Sequence, residues 1–162
     1  MKQKIQEELK TALKQGEALK VGTFRMLLAA VANRETQKRY EASKQNSNFT
    51  EQELVEKAQL SEEEFQSVVV SEAKKRREAI EGFEKGNRTE LAEKEKQELD
   101  ILMGYLPQQL SEEEIREIVK EAVEKVHPAG PQDMGKLMGE LMPKVKGKAD
   151  GALVSKIVRE ML

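Results

Sequence analysis

The sequence predicts an all-α, multihelical protein, and three observations carry that prediction. Of its 162 residues 36% are charged, 38% hydrophobic and only 4% aromatic, with no Trp. A chain rich in Glu, Lys, Leu and Ala favours helix over strand, and its core must be built from aliphatic side chains and Met. Apolar residues recur at spacings of three and four, and nowhere alternate with polar ones for the length of a strand. Thr50, Ser61 and Ser111 are each followed three residues later by Glu, the pattern in which hydroxyl and carboxylate reciprocally satisfy the free N–H groups of a new helix. The expected organisation is an N-terminal subdomain of antiparallel helices over residues 1–107 and a small three-helix tail subdomain over 108–162.

Ile5, Leu9 and Leu13, four apart, predict a helix near 2–15 ending at Gly16. Val21, Phe24, Leu27, Leu28 and Val31 predict a second near 19–42, whose polar far end (Arg34, Lys38, Arg39) is expected to project from the body. Ser43 to Asn48 has no apolar anchor and reads as an exposed loop. The Thr-Glu and Ser-Glu pairs predict helix starts near 51, 62 and 112. The helix from 62 to about 85 uses Phe65, Val68, Val69, Ala73, Ile80 and Phe83, and 86–89 makes a turn with Thr89 as the next cap. A helix to about Leu106 follows, with Leu91, Leu99, Leu102, Tyr105 and Leu106 inward, and residues 107–110 lead to the tail.

In the tail, helices are expected near 112–126, 134–142 and 151–161. Asp133 is placed to cap the second through its carboxylate. Met134, Leu137, Met138 and Leu141 share its apolar face, and Gly135 and Gly139 leave a groove for another helix. Pro143 lacks an N–H and is expected to break the helix. Asp150 caps the last helix, with Leu153, Ile157 and Met161 as its stripe. The methionines Met134, Met138 and Met142 read as core.

The charge balance is −2 overall but comes in blocks. Residues 1–45 carry ten bases and five acids, 46–72 one and seven, 73–88 six and three, 89–127 five and eleven, and 128–162 six and four. A mildly acidic chain can therefore still present a basic face. The absence of Cys excludes disulfides and thiol catalysis. No nucleophile elbow, phosphate loop or dinucleotide fingerprint occurs. The single histidine, His127, stands at a helix end before Pro128 with no sequence neighbour to orient it, which points to a structural or solvent role. No catalytic residue, cofactor or metal is expected. No run reaches the length of a membrane span and the N-terminus has no apolar signal region, so a soluble cytoplasmic protein is expected.

Two constellations remain. Arg76 falls about 20° around its helix from Phe65, inside the apolar stripe, while Glu95 and Glu98 fall on the stripe of Leu91 and Leu102. In an antiparallel hairpin closing near Asn87, Arg76 meets Glu98 or Glu95 as a structural ion pair. Lys74, Lys75 and Arg77 fan around the other side as a secondary basic face. The other constellation is the loop carrying Lys144, Lys146 and Lys148, glycine-containing and flexible, which can approach a phosphate backbone closely.

The string Gly135-Lys-Leu-Met138-Gly139-Glu-Leu-Met142 followed by Lys146-Gly-Lys-Ala149 resembles the tail domain of the GatB/YqeY family. The likeness extends upstream through Lys74-Lys-Arg-Arg77, Phe83, Asn87-Arg88 and Tyr105 to Glu114, over roughly residues 1–42 and 61–162, and the length suits the free-standing branch. Segment 51–59 is read as a departure from the family's pattern. In that family the module forms the tail of the B subunit of the tRNA-dependent amidotransferase, whose chemistry, glutamine-dependent carbon–nitrogen ligation, belongs to other parts. A related module is appended to some bacterial glutaminyl-tRNA synthetases. The resemblance implies a non-catalytic tRNA-binding helical module using Lys144, Lys146 and Lys148, supported by Lys136, Lys156 and Arg159. The alternative is a helical adaptor docking on a protein of the translation machinery. Since the stretch from Pro143 to Arg159 holds no aromatic to stack bases, RNA would be read there by shape and backbone charge.

Overall fold

In a computed structural model that describes residues 1–162, save the side chain of Pro131, the chain is all-helical, with no strand among the described residues. It divides into two compact units, Met1–Tyr105 and Leu106–Leu162.

The first helix, α1 (Lys2–Gln15), stops where Gly16 turns left-handed at φ 70°. The Glu17 N–H then donates back to Ala12 O at 3.0 Å, which satisfies a carbonyl the helix end leaves open. Only glycine adopts this backbone without steric cost. Ile5 and Ala12 are buried, whereas Leu13, expected inside, is 50% exposed. A spacing of four drifts about 40° per step around an α-helix, so by the second step Leu13 has rotated out of the seam and Ala12 occupies it.

Helix α2 (Ala18–Gln45) is the hub of the unit, with neighbours on several sides. Val21, Phe24, Leu27 and Val31 are buried, and Leu28 is half-buried. Its polar far half does not project from the body. Helix α3 (Glu51–Ala58) lies along it, and two of the charges expected to point into solvent meet partners at α3 and at the start of the helix that follows. Arg39 pairs with Glu51, and Lys38 donates to Gln59 O at 2.9 Å and to Glu64 at 2.6 Å. The helix also runs on to Gln45, leaving only 46–50 as the connection; the Ser43 hydroxyl donates back to Tyr40 O at 2.8 Å, so this polar stretch stays helical.

Thr50 and Ser61 open α3 and α4 (Glu62–Lys85) with complete capping boxes. Glu53 N donates to the Thr50 hydroxyl at 3.3 Å while Thr50 N donates to the Glu53 carboxylate at 2.7 Å, and Ser61 and Glu64 repeat the exchange. The Lys38 ammonium and the Ser61 N–H together hold the Glu64 carboxyl below its ordinary 4.5. At the other end of α4, Asn87 takes the left-handed turn (φ 53°) and the Arg88 N–H reaches Phe83 O at 2.9 Å. Because Asn87 reverses the chain, α5 (Thr89–Met103) begins one residue earlier than a Thr89 cap requires. Thr89 is its first helical residue, and Arg88 stands at the cap with no side-chain bond.

The α4–α5 hairpin buries Phe65, Val69, Ala73, Ile80, Ala92 and Leu102. Leu91, expected inside, is 42% exposed and its neighbour Ala92 replaces it. Helix α5 ends at Met103, three residues short of the expected end. Tyr105 then packs edge-on against Phe24, with centroids 5.9 Å apart, and its hydroxyl donates to the Glu8 carboxylate. Burial first, and then that carboxylate, raise the Tyr105 phenol above its ordinary 10.0.

The second unit contains α6 (Glu112–Val126), α7 (Met134–Val145) and α8 (Gly151–Met161), with a 3-10 turn at Pro131–Asp133. Ser111 caps α6 as the third capping box, and His127 ends it in the left-handed region (φ 47°), exposed, just before Pro128. The core is aliphatic: Ile115, Val119 and Ala122 from α6, Leu137, Leu141 and Val145 from α7, Val154, Ile157 and Val158 from α8.

Five expectations for this unit are corrected. Asp133 does not cap α7 through its side chain: the carboxylate accepts from Ala129 N at 2.9 Å and pairs with Lys136 at 2.8 Å. Pro143 does not end α7. It lies in the last turn with an exposed ring, where its missing N–H costs one bond, while Val145 is buried and Lys146 N still donates to Met142 O at 2.9 Å. Gly135 and Gly139 form no occupied groove, since nothing lies within 4 Å of where a Cβ would stand. On α8 the buried stripe is Val154, Ile157 and Val158, with Met161 37% exposed. Met134 and Met138 pack on the core as expected, but Met142 is 43% exposed.

Candidate nucleic-acid interface

The lysine loop, expected to be flexible, carries several backbone restraints. Gly147 turns left-handed (φ 76°) between Lys146 and Lys148. Its carbonyl accepts from the Gln109 side-chain amide at 2.9 Å, and the same nitrogen reaches Pro107 O at 2.8 Å. Leu110 N donates to Lys148 O at 2.7 Å. Three residues after Gly147, Asp150 caps α8, accepting from Ala152 N at 2.7 Å and Leu153 N at 3.4 Å. With its carbonyls tied down, the loop exposes the side chains of Lys146 and Lys148. Gln109 stood in the family-like string but carried no charge or period to mark it. Gln109→Ala is expected to strand the Gly147 and Pro107 carbonyls, cost about 1–2 kcal/mol and raise hydrogen exchange at the Leu110 amide. An unchanged exchange rate at that amide would show that the clamp is not needed.

The structure sorts the expected lysines by partner. Lys136 pairs with Asp133 at 2.8 Å and Lys144 with Glu121 at 3.2 Å, while Lys156 stands 4.0 Å from Glu160. Bonds from Lys136 and Ala129 hold the Asp133 carboxyl below its ordinary 3.8, and Asp133 in turn raises the Lys136 ammonium. Lys136 is also distant from the loop: it precedes Lys144 by eight residues on α7, about 12 Å at 1.5 Å per residue. Lys146, Lys148 and Arg159 have no acidic partner among the described residues. Of the six cations expected to act, they are the ones left without an ion pair.

The secondary basic face is engaged within the protein. Lys75 pairs with Glu72 at 2.6 Å, Lys74 stands 3.7 Å from Glu78, and Arg77 donates to Met103 Sδ at 3.5 Å. Arg76 meets both acids that the hairpin geometry predicts. Its Nη1 donates to Glu95 at 2.8 Å, and its Nε lies 3.4 Å from Glu98 Oε2, close enough to attract but not aligned as a hydrogen bond. Glu98 is 8% exposed. A third donor, Nη2, reaches Met26 Sδ at 2.9 Å.

Among the described residues no group of His, Asp and Glu side chains is arranged to hold a metal, and no helix is long and apolar enough to cross a membrane. A cleft of about 420 Å³ in the first unit, lined by Lys4, Glu8, Phe24 and Tyr105 among others, mixes both signs of charge.

Comparison with known proteins decides the family. The family model described as Yqey-like protein matches residues 43–162. The chain belongs to the Yqey-like family. The matched range takes in residues 43–60, and with them α3, which from sequence reads as a departure from the family's pattern. One Yqey-like relative is the altered inheritance of mitochondria protein 41, mitochondrial, of Pyrenophora tritici-repentis, 30% identical over 162 residues that cover 98% of this chain and 79% of the relative. Two archaeal proteins, each named as the E component of a glutamyl-tRNA(Gln) amidotransferase, share shorter stretches. That of Thermococcus sibiricus is 48% identical over 48 residues and that of Thermococcus gammatolerans 42% over 57. These stretches cover 30% and 33% of this chain but only 8% and 9% of the archaeal proteins. The Yqey-like chain is thus related to the tail region of amidotransferase components.

Proposed function

We propose that this Yqey-like chain is a non-catalytic tRNA-binding module that works in the cytoplasm, with Lys146 and Lys148 as its main phosphate contacts and Arg159 in support. The observation that carries the reading is the pair of exposed, acid-free ammonium groups on a loop whose backbone is pinned by Gln109 and Leu110. A pinned loop loses little further entropy on binding, and ammonium groups without internal partners need break no ion pair to meet a phosphate. The likeness to proteins named for a glutamyl-tRNA(Gln) amidotransferase supplies the class of nucleic acid. Lysines on an open loop neutralise phosphates and offer no acid–base pair, so the reading is one of binding and not of carbon–nitrogen ligation.

The test is tRNA binding by fluorescence anisotropy over a salt series. Each phosphate contact contributes about 0.7–0.9 to the slope of log affinity against log salt. The Lys146→Ala/Lys148→Ala variant is expected to bind more weakly and to flatten that slope by about 1.4–1.8. Lys144→Ala, which removes a lysine already paired with Glu121, is expected to change it less. Affinity indifferent to salt would sink the reading.

One observation favours a second reading, a helical adaptor for a protein of the translation machinery. Gly135, Gly139 and the 43%-exposed Met142 share one open face of α7. Salt-insensitive capture of a single translation protein in the absence of RNA would favour it.

A further inference from the structure

The aromatic residues of the chain are few, four Phe and two Tyr, and all but one are at least half-buried. The exception is Tyr40, near the end of α2, which at 59% is the most exposed large apolar side chain described. Five residues past the end of its helix comes Thr50, and between them in the turn stands Phe49, half-buried. The two rings share one feature. The Lys44 ammonium lies over the Tyr40 ring at 4.6 Å from its centroid, and the Lys57 ammonium lies over the Phe49 ring, also at 4.6 Å.

These lysines differ from their neighbours in charge balance. Around them, Arg34, Lys38 and Arg39 each pair with an acid, namely Glu41, Glu64 and Glu51. Lys44 and Lys57 come within ion-pair distance of no carboxylate among the described residues, although the field of Lys57 reaches Glu53. The Arg39–Glu51 pair ties the start of α3 to α2 one residue before Tyr40. The two ring–cation pairs therefore flank the α2–α3 connection, Tyr40 and Lys44 at the end of α2, Phe49 in the connection and Lys57 on α3. Flat rings, one of them open to solvent, together with uncompensated cations are the two components that single-stranded nucleic acid needs. A base stacks on the ring and the adjacent phosphate meets the ammonium. A protein partner would be served by the exposed Val55 on α3, but it would leave the paired placement of ring and free cation unused.

We infer that the corner between α2 and α3 is a stacking site for unpaired nucleotides of RNA, with Tyr40 as the platform and Lys44 and Lys57 as the phosphate contacts. The inference deepens the tRNA-binding reading, on which it rests, by adding a second contact that engages loop nucleotides where the lysine loop engages backbone.

The chain has no Trp, which permits a direct test in the full-length protein. Tyr40→Trp introduces a lone indole whose emission is quenched when a base stacks on it. Titration with a single-stranded ten-nucleotide oligoadenylate is expected to quench it saturably, and a ten-base-pair RNA duplex to quench it far less. In anisotropy with the same labelled single strand, Tyr40→Ala is expected to weaken binding by at least about 5-fold, while Tyr40→Phe retains it. Circular dichroism confirms that each variant is folded. An unquenched indole, or a Tyr40→Ala variant that binds the single strand as tightly as the parent, would overturn the inference. The two readings fail separately. Loss of tRNA binding in Lys146→Ala/Lys148→Ala with an unquenched indole leaves the tail contact standing and removes the stacking site. A quenched indole with tRNA binding indifferent to Lys146 and Lys148 does the reverse.

Discussion

Arg76→Leu is expected to destabilise the protein by about 3–5 kcal/mol, the range for removing one partner of a buried ion pair. The Arg76 side chain is 15% exposed and faces Glu95 and Glu98, whose side chains are 16% and 10% exposed. Removing the guanidinium leaves two carboxylates close together on α5 with no cation to offset them and little access to water. Much of the loss is therefore the cost of the stranded acids and not the worth of the pair. Adding Glu95→Gln and Glu98→Gln to the Arg76→Leu background should restore a large part of the stability, because neutral amides carry no charge to desolvate. Urea denaturation followed by circular dichroism measures both. A midpoint shift for Arg76→Leu corresponding to less than about 1 kcal/mol would place the pair with surface salt bridges. It would show that the hairpin does not depend on it.

Leu141→Ala should affect the tail unit more severely than its single-site chemistry suggests. Leu141 is fully buried at 0% exposure, and the aliphatic core around it is assembled from only three short helices. Truncating a buried Leu costs about 2–5 kcal/mol, and a unit this small has little stability in reserve. The expected result is loss of amide protection across α6, α7 and α8 in hydrogen exchange, with protection in α1 to α5 retained. Met142, the next residue, is 43% exposed, and Met142→Ala should leave the exchange pattern close to the parent. Equal protection in the tail of the Leu141→Ala protein would show that its core tolerates the cavity.

The two variants also bear on how much of the molecule was legible beforehand. Arg76 could be placed from sequence because a short turn at Asn87 and the helical repeat together define which residues of a hairpin face each other. The tail core was legible in outline for the same reason: Leu137 and Leu141 are four apart on a helix with a recognisable start. The candidate site was legible only as a set of cations. The six basic residues from Lys136 to Arg159 look alike in a sequence. Of the partners that separate Lys136, Lys144 and Lys156 from Lys146, Lys148 and Arg159, Asp133 and Glu160 stand three and four residues away in the chain, and Glu121 alone is brought to its lysine by folding. The α2–α3 connection was missed because Tyr40 sits in a polar stretch that reads as solvated helix, and nothing in its sequence context says that its side chain stays largely exposed with only Lys44 over the ring.

What the sequence determined by itself are the features set by interactions within about four residues. The capping boxes at Thr50, Ser61 and Ser111 and the cap at Asp150 mark helix starts that the structure reproduces residue for residue. The hydroxyls and carboxylates act there on N–H groups two or three positions away, so no distant neighbour can move them. Tertiary structure decided which of two adjacent apolar side chains is buried, as Ala12 over Leu13 and Ala92 over Leu91, and it set Val158 in the seam where Met161 was expected. It carried α7 through Pro143, because burial of Val145 offsets one lost backbone bond. It also clamped the lysine loop through Gln109. Each of these outcomes depends on which surface or charge a distant segment presents, and that is set by packing and not by local periodicity.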